Sequence, residues 1–450
     1  MSLPVIRPNV AGIDIGSRSH YVAGPMSSDG SINVREFGTT TGELQEMVNW
    51  LLEQGVESVA MESTSVYWIP AYELLEEHGL EVLLVNARQI SNVPGRKTDV
   101  LDCQWIQLLH SCGLLRGSFR PDEAICVVRA LKRQWANLVR QPTKSVQWMQ
   151  KALDQMNVQI HHAVTEITGK TGMAIIRAIV DGERDPMELV KHRDRRCKKS
   201  AEQIAEYLVG NWRHEHLFNL KMALRHSEAL EAMITDYERQ ILQELVALQP
   251  PESKDESVPA HPNPDKERAI RARGDQDVRE ALFRLTGLDL SRIDGISAET
   301  ARVVVTEIGF DLSKFPTEKH FASWLGLAPK HGITGGKTIA NKKKNTMGSN
   351  RIASVLRMAA LSLQRSKSAL GAYLRRLARR KDGSVAIFAT ARKLSTYIYR
   401  MLRYGQDYVD IGEKAYEMAF AKRRLARLKT ALTSMGYDIV PKEAANEVSG

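Results

Sequence analysis

Asp14 interrupts an otherwise apolar run, VAGIDIG, that reads as a β-strand. An ionised carboxylate in a buried strand is costly unless a cation or strong hydrogen bonds compensate it. Glu62 closes a second apolar run, SVAMES, in the same kind of place. Asp99 and Asp102, in GRKTDVLDCQW, lie three residues apart on an expected helix, so their side chains leave from nearly one face. Thr98 suits the N-cap of that helix, whose positive end favours acids in its first turn. Carboxylates converging from two strand ends and one helical turn form an oxygen-rich pocket for hard cations. Two Mg²⁺ ions about 4 Å apart would serve phosphodiester chemistry there. Arg96 and Lys97, just before the acidic pair, are placed to hold a scissile phosphate. Taken singly, each acid has a plainer structural reading: Asp99 and Asp102 could simply be capping and surface residues.

The elements that must position these residues follow from hydrophobic periodicity. Over residues 10–115 the chain gives three strands (VAGIDIG, HYVAGPMS, INVREFGTT), a helix over 42–54 and the strand SVAMES. The helix IPAYELLEEHG, the strand EVLLVN and a helix over 98–112 complete the series. This order predicts a mixed sheet covered by helices, the order of a ribonuclease-H-like fold. Asp14-Ile15-Gly16-Ser17 also fits the short phosphate turn of actin-like ATPases, but no second phosphate loop or adenosine motif accompanies it.

Residues 122–249 turn helical, with two long amphipathic stretches separated by a shorter helical insert, the pattern of a coiled-coil-like arm suited to dimerisation. An ordinary helical domain is the alternative. Residues 250–267 carry five prolines and little apolar content, and 250–275 are expected to be a flexible linker. A helical domain over 276–410 and a basic helical tail over 411–450 complete a division that begins with a catalytic domain over 1–121.

Charge separates the ends of the molecule. Residues 329–430 hold 24 Lys/Arg against 5 Asp/Glu, a net +19, which leaves −9 for the rest of a chain at +10. Such a module expects a polyanion, most simply nucleic acid. Lys337, Lys342, Lys343, Lys344 and Arg351 surround a glycine-containing loop, and Arg375, Arg376, Arg379 and Arg380 crowd one helix with almost no acids between them. IDGISAETARVVVTEIG has the pattern of a helix-hairpin-helix: Gly295 makes the turn, and the hairpin amides, with Ser297 or Thr300, can meet a backbone phosphate. A capped ordinary helix is the plain alternative. No apolar run is long enough to span a membrane, and the N-terminus lacks a signal-peptide pattern. Cys103, Cys112, Cys126 and Cys197 form no C-x-x-C pair and read as reduced thiols, so a cytoplasmic location is expected.

With these residues in view, the chain resembles the DEDD-type, RuvC-like transposases of insertion-sequence family one-ten, subgroup eleven-eleven, which are bridge-RNA-guided (seekRNA-guided) DNA recombinases. The resemblance rests on GIDIGSRSHYVA, AMESTSVYWIPAYELLEEHG, VLLVNARQISNVPGRKTDVLDCQWIQLL, IDGISAETARVVVTEIG, FASWLGLAPKHGITGGK and NRIASVLRMAALSLQRSKSALGAYLRR. It implies an α/β RuvC-like domain, a helical arm and an all-α transposase domain, with Asp14, Glu62, Asp99 and Asp102 as Mg²⁺ ligands. It also implies a nucleophilic serine before a Gly-Gly pair. This chain departs from that pattern, placing Thr334 before Gly335-Gly336. A threonine hydroxyl can make the same attack, and Ser349 or Ser323 is the alternative. The implied partners are donor and target DNA, an element-encoded noncoding guide RNA and further copies of the chain, as dimer or tetramer. Two other functions use the same residues: a junction-resolving endonuclease with water as nucleophile, and a non-catalytic nucleic-acid-binding protein.

Overall fold

The computed structural model describes residues 4–27, 29–86, 99–253, 257–329, 332–334, 337–339 and 350–437, the segments 332–334 and 337–339 as backbone alone. The chain divides into two compact units, Met1–Arg120 and Pro121–Gly450.

The first unit is built on a five-stranded sheet of order β3-β2-β1-β4-β5: β1 Val10–Ile15, β2 Ser19–Met26, β3 Ile32–Gly38, β4 Ser58–Glu62 and β5 Glu81–Val85. The first three strands run antiparallel as a meander, and β4 and β5 join β1 in parallel. This topology is consistent with a ribonuclease-H-like sheet. Between the strands come α1 Thr41–Glu53 and α2 Trp68–Glu77, and α3 Asp99–Ser111 follows β5. Thr40 starts α1 with a capping box: its hydroxyl accepts from the Glu43 N–H, and the Glu43 carboxylate accepts from the Thr40 N–H at 3.0 Å.

Period two divides the residues of β1 between the two faces of the sheet. Ala11, Ile13 and Ile15 pack with Leu44, Met47 and Leu51 of α1. Val10, Gly12 and Asp14 face the other way, toward α3. A Cβ at Gly12 would lie 2.3 Å from the Gln107 nitrogen and 2.4 Å from the Cys103 carbonyl oxygen, so α3 rests directly on the strand backbone. Gln107 is fully buried there, and its side-chain amide donates to the Val10 carbonyl at 3.4 Å.

The second unit is helical. α4 Glu123–Leu138 and α5 Pro142–Gln155 both pack along α7 His214–Ala247, whose 34 residues span about 50 Å at 1.5 Å per residue. α6 Lys170–Asp181 and three short helices close an apolar core around Met149, Leu153, Ile160, Ile176, Leu208 and Leu220. Within the stretch expected to be a linker lies α8 Pro264–Arg273, followed by α9 Gln276–Thr286. Arg279, 2% exposed, donates to Asp289 at 2.7 Å, to Glu267 at 2.8 Å and to the Pro259 carbonyl at 2.8 Å. The polar, proline-rich composition of this stretch satisfies a buried guanidinium instead of solvating a tether. Its partners lie ten to twenty residues away in sequence, so composition does not reveal them.

Beyond it come α10 Ala298–Ile308, α11 Glu318–Trp324, a hairpin of β6 Gly332–Thr334 and β7 Lys337–Ile339, α12 Arg351–Ser362, α13 Ala369–Ala378, α14 Gly383–Tyr404 and α15 Gly412–Ser434. The hairpin lies where a glycine-containing loop was expected within a mainly helical domain, with Thr334 opposite Lys337. α14 is the centre of this bundle, contacted by α11, α12 and α13. Its Tyr399 is buried and donates to the Phe315 carbonyl at 2.7 Å. α10 returns to α4, where Glu307 accepts from Arg129 at 2.9 Å and Arg133 at 2.7 Å. Among the described residues no helix is long and apolar enough to cross a membrane.

Candidate active site and nucleic-acid interface

β1 and β4 are parallel neighbours in a register that pairs Ile13 with Met61. Continuing that register by one residue sets Asp14 beside Glu62, at the carboxyl ends of both strands. Asp14 shares the α3-facing side with Gly12, and α3 runs antiparallel to β1, with Cys103 and Gln107 over Gly12. The first turn of α3, with Asp99 and Asp102, is thereby brought toward Asp14. Asp14, Glu62 and Asp102 are half-buried and Asp99 is exposed.

The electrostatics record this convergence. The Asp14 carboxyl is pushed up to about 6, first by burial and then by the charges of Asp99, Asp102 and Glu62. Thr64 donates its hydroxyl to Glu62 at 3.2 Å. Cys103, one turn into α3, donates its thiol to the Val100 carbonyl, and burial pushes that thiol up to about 12. The donor set of hard carboxylate oxygens suits Mg²⁺, and the raised proton affinity of Asp14 is what an uncompensated group of this kind produces. Among the described residues, however, no three acids, histidines or cysteines stand close enough to hold one ion together. The carboxylates share a field without being gathered to ligand distance. The Gly16 N–H, which the phosphate-turn reading would offer to a nucleotide, donates instead to the Ser19 carbonyl at 3.1 Å.

Arg96, Lys97, Lys342, Lys343, Lys344 and Ser349 lie outside the described residues, as do the side chains of Thr334 and Lys337. Gly295 adopts φ 87°, and a Cβ there would meet the Ala359 carbonyl at 2.9 Å, so its turn lets the start of α10 rest on α12. Ser297 caps α10, accepting from the Thr300 N–H at 3.1 Å. Arg351, at the start of α12, approaches Glu307 at 3.6 Å. Arg375 donates to the Gln364 and Ser366 carbonyls at 3.0 and 2.6 Å and pairs with Glu413, so its guanidinium is used within the bundle. Arg376, Arg379 and Arg380 line an open cavity with Lys393 of α14 and residues of α15. α15, expected as a separate basic tail, forms a wall of this cavity. The sequence signal for that role is the helical spacing of Tyr416, Phe420, Arg423 and Arg427.

Comparison with known proteins adds to this geometry at both ends of the chain. A family model described as Transposase, of the DEDD type of IS110, matches residues 11–158. A second, described as Transposase IS116/IS110/IS902 family, matches residues 287–375. Together they take in just over half of the chain. The insertion element IS110 uncharacterized 43.6 kDa protein of Streptomyces coelicolor (strain ATCC BAA-471 / A3(2) / M145) is 29% identical over 120 residues. That stretch is 26% of this chain and 29% of the relative's length.

Proposed function

Since the chain belongs to the IS110 family of transposases, we propose that it cuts and rejoins DNA as the recombinase of an insertion sequence, using its own hydroxyl as nucleophile. The observation that carries this reading is Asp14: a strand-end carboxyl whose proton affinity is raised by burial and by three neighbouring acids. Such a group gains most from a divalent cation. Asp14, Glu62, Asp99 and Asp102 are the residues that would hold Mg²⁺, as two ions. When bound, Mg²⁺ supplies Lewis-acid stabilisation of charge on the phosphate oxygens. The sheet fixes two of the carboxylates, and α3, seated on Gly12, fixes the other two.

Thr334 supplies the attacking oxygen. Its Oγ1 forms a bond to a DNA phosphorus as the phosphorus–sugar oxygen bond breaks, and the departing oxygen takes up a proton. The energy of the phosphodiester stays in the phosphothreonine link, ready for rejoining to a new strand. The +19 charge of residues 329–430 supports a large polyanionic partner. In our reading this comprises the two DNA substrates and a noncoding RNA of the element that selects them by pairing, acted on by at least two copies of the chain.

Asp102→Asn tests the carboxylates. It keeps the side-chain shape and removes one charge, so strand exchange in Mg²⁺ should fall at least about a hundredfold with no loss of thermal stability. A normal rate would mean that the chemistry lies elsewhere.

A further inference from the structure

α13, α14 and α15 enclose a cavity of about 770 Å³ with an unusual lining: seven cations, three aromatic rings and no acid. The cations at its mouth, including Arg379, Arg380, Arg423 and Arg427, are exposed, whereas the rings of Tyr373 and Phe420 are half-buried and Tyr416 is buried. Two cations lie against those rings. The Arg376 guanidinium sits 3.7 Å from the Phe420 ring centre, and the Lys393 ammonium 4.5 Å from that of Tyr373. Burial, then Arg376 and Arg423, hold the Lys393 ammonium below its usual range.

Three features show that this lining is incomplete by itself. Crowded cations without acids repel one another, and Glu413 of α15 is already engaged by Arg375. Nη1 of Arg376 is shut off from water and has no hydrogen-bond partner, an orphan donor in need of an acceptor. α15, with 23 residues, buries only Tyr416. A helix with so little apolar anchorage gains from a ligand that bridges it to α13.

The form of nucleic acid follows from the shape. A duplex keeps its bases stacked inside and offers phosphates along a convex ridge, which matches a flat basic surface. A concave cavity with rings inside and arginines at the mouth matches an unpaired nucleotide, whose base has a free face for stacking. We propose that the cavity between α13, α14 and α15 holds an unpaired nucleotide of a single-stranded nucleic acid, its base stacked on the aromatic side chains and its flanking phosphates on the arginines. This deepens the recombinase reading. It is tested by binding and not by strand exchange, so its failure leaves that reading standing, and a failed Asp102→Asn test leaves the cavity standing.

The experiment is fluorescence anisotropy on the full chain with a labelled 12-nucleotide U-rich RNA, a T-rich DNA of equal length and a 20-base-pair duplex DNA. Phe420→Ala should weaken single-strand binding at least about tenfold and duplex binding less than about twofold, and Phe420→Trp should restore it. Independently of that ring, Arg379→Gln with Arg380→Gln, both at exposed positions, should lower the salt dependence of single-strand binding by about one counterion per charge. A larger loss for RNA assigns the cavity to an RNA strand, and an equal or larger loss for DNA to a displaced DNA strand; either supports it. Single-strand binding unchanged by Phe420→Ala, duplex binding lost in equal measure, or no recovery with Trp overturns it, as does an unaltered salt dependence in the arginine variant.

Discussion

At the scale of single residues, Asp14 is the most strongly perturbed acid of the first unit's carboxylate group. Its carboxyl is raised from 3.8 to about 6, so the folded chain holds this proton more tightly than the unfolded chain does. Its contribution to stability is therefore full below the unfolded value and is lost as pH rises through about 6, where the ionised group must sit among three like charges. A bound cation reverses that loss. Mg²⁺ should accordingly raise the melting temperature clearly at pH 8 and hardly at pH 5, and Asp14→Asn should melt above the wild type at pH 8 without Mg²⁺. An equal Mg²⁺ effect at both pH values would separate Asp14 from any metal. The strand-end position of Asp14 was legible because one acid breaks an apolar strand. That of Gly12 was not: a small residue in a strand gives no sign, before the fold is known, that a helix backbone lies on it.

Among the elements, α3 is the part on which the site turns. It carries two of the four acids, and its position is fixed by backbone contact at Gly12. Gly12→Ala should cost about 1–3 kcal/mol by overpacking and reduce strand exchange, because α3 must lift and take Asp99 and Asp102 with it. Gly42→Ala is the control, since nothing lies within 4 Å of a Cβ there. Urea unfolding of the two variants checks the difference; equal stabilities would show that α3 tolerates the displacement.

Strands and long helices were legible at this scale, since period two and period 3.6 are local properties. SVAMES forms Ser58–Glu62, and the expected 98–112 helix forms Asp99–Ser111. The order of residues 257–275 was not legible, because it depends on Arg279 gathering Pro259, Glu267 and Asp289. Nor was the use of α15 as a cavity wall, since a basic helix with one buried ring has the composition of a solvated tail.

The whole molecule joins an acidic carboxylate group to a strongly basic C-terminal region, and the separation of −9 from +19 was plain from the sequence alone. The proposed guide RNA is expected to stay bound through purification. Purified at low salt, the protein should carry a discrete small RNA whose loops match the flanks of its element and a target, in a particle that light scattering sizes at two copies or more. Random cellular RNA on a monomer, with full activity after nuclease treatment, would remove both the guide and the oligomer from the account.

We propose above that a protein hydroxyl, served by four carboxylates, attacks DNA. Denaturing gel electrophoresis of reactions with labelled DNA measures this directly, through the covalent protein–DNA adduct. A Mg²⁺-dependent adduct is expected with the wild type and with Thr334→Ser, and none with Thr334→Val or Asp102→Asn, although both should still bind DNA. An adduct formed by Thr334→Val, or DNA cut by the wild type with no adduct at any time, would contradict it.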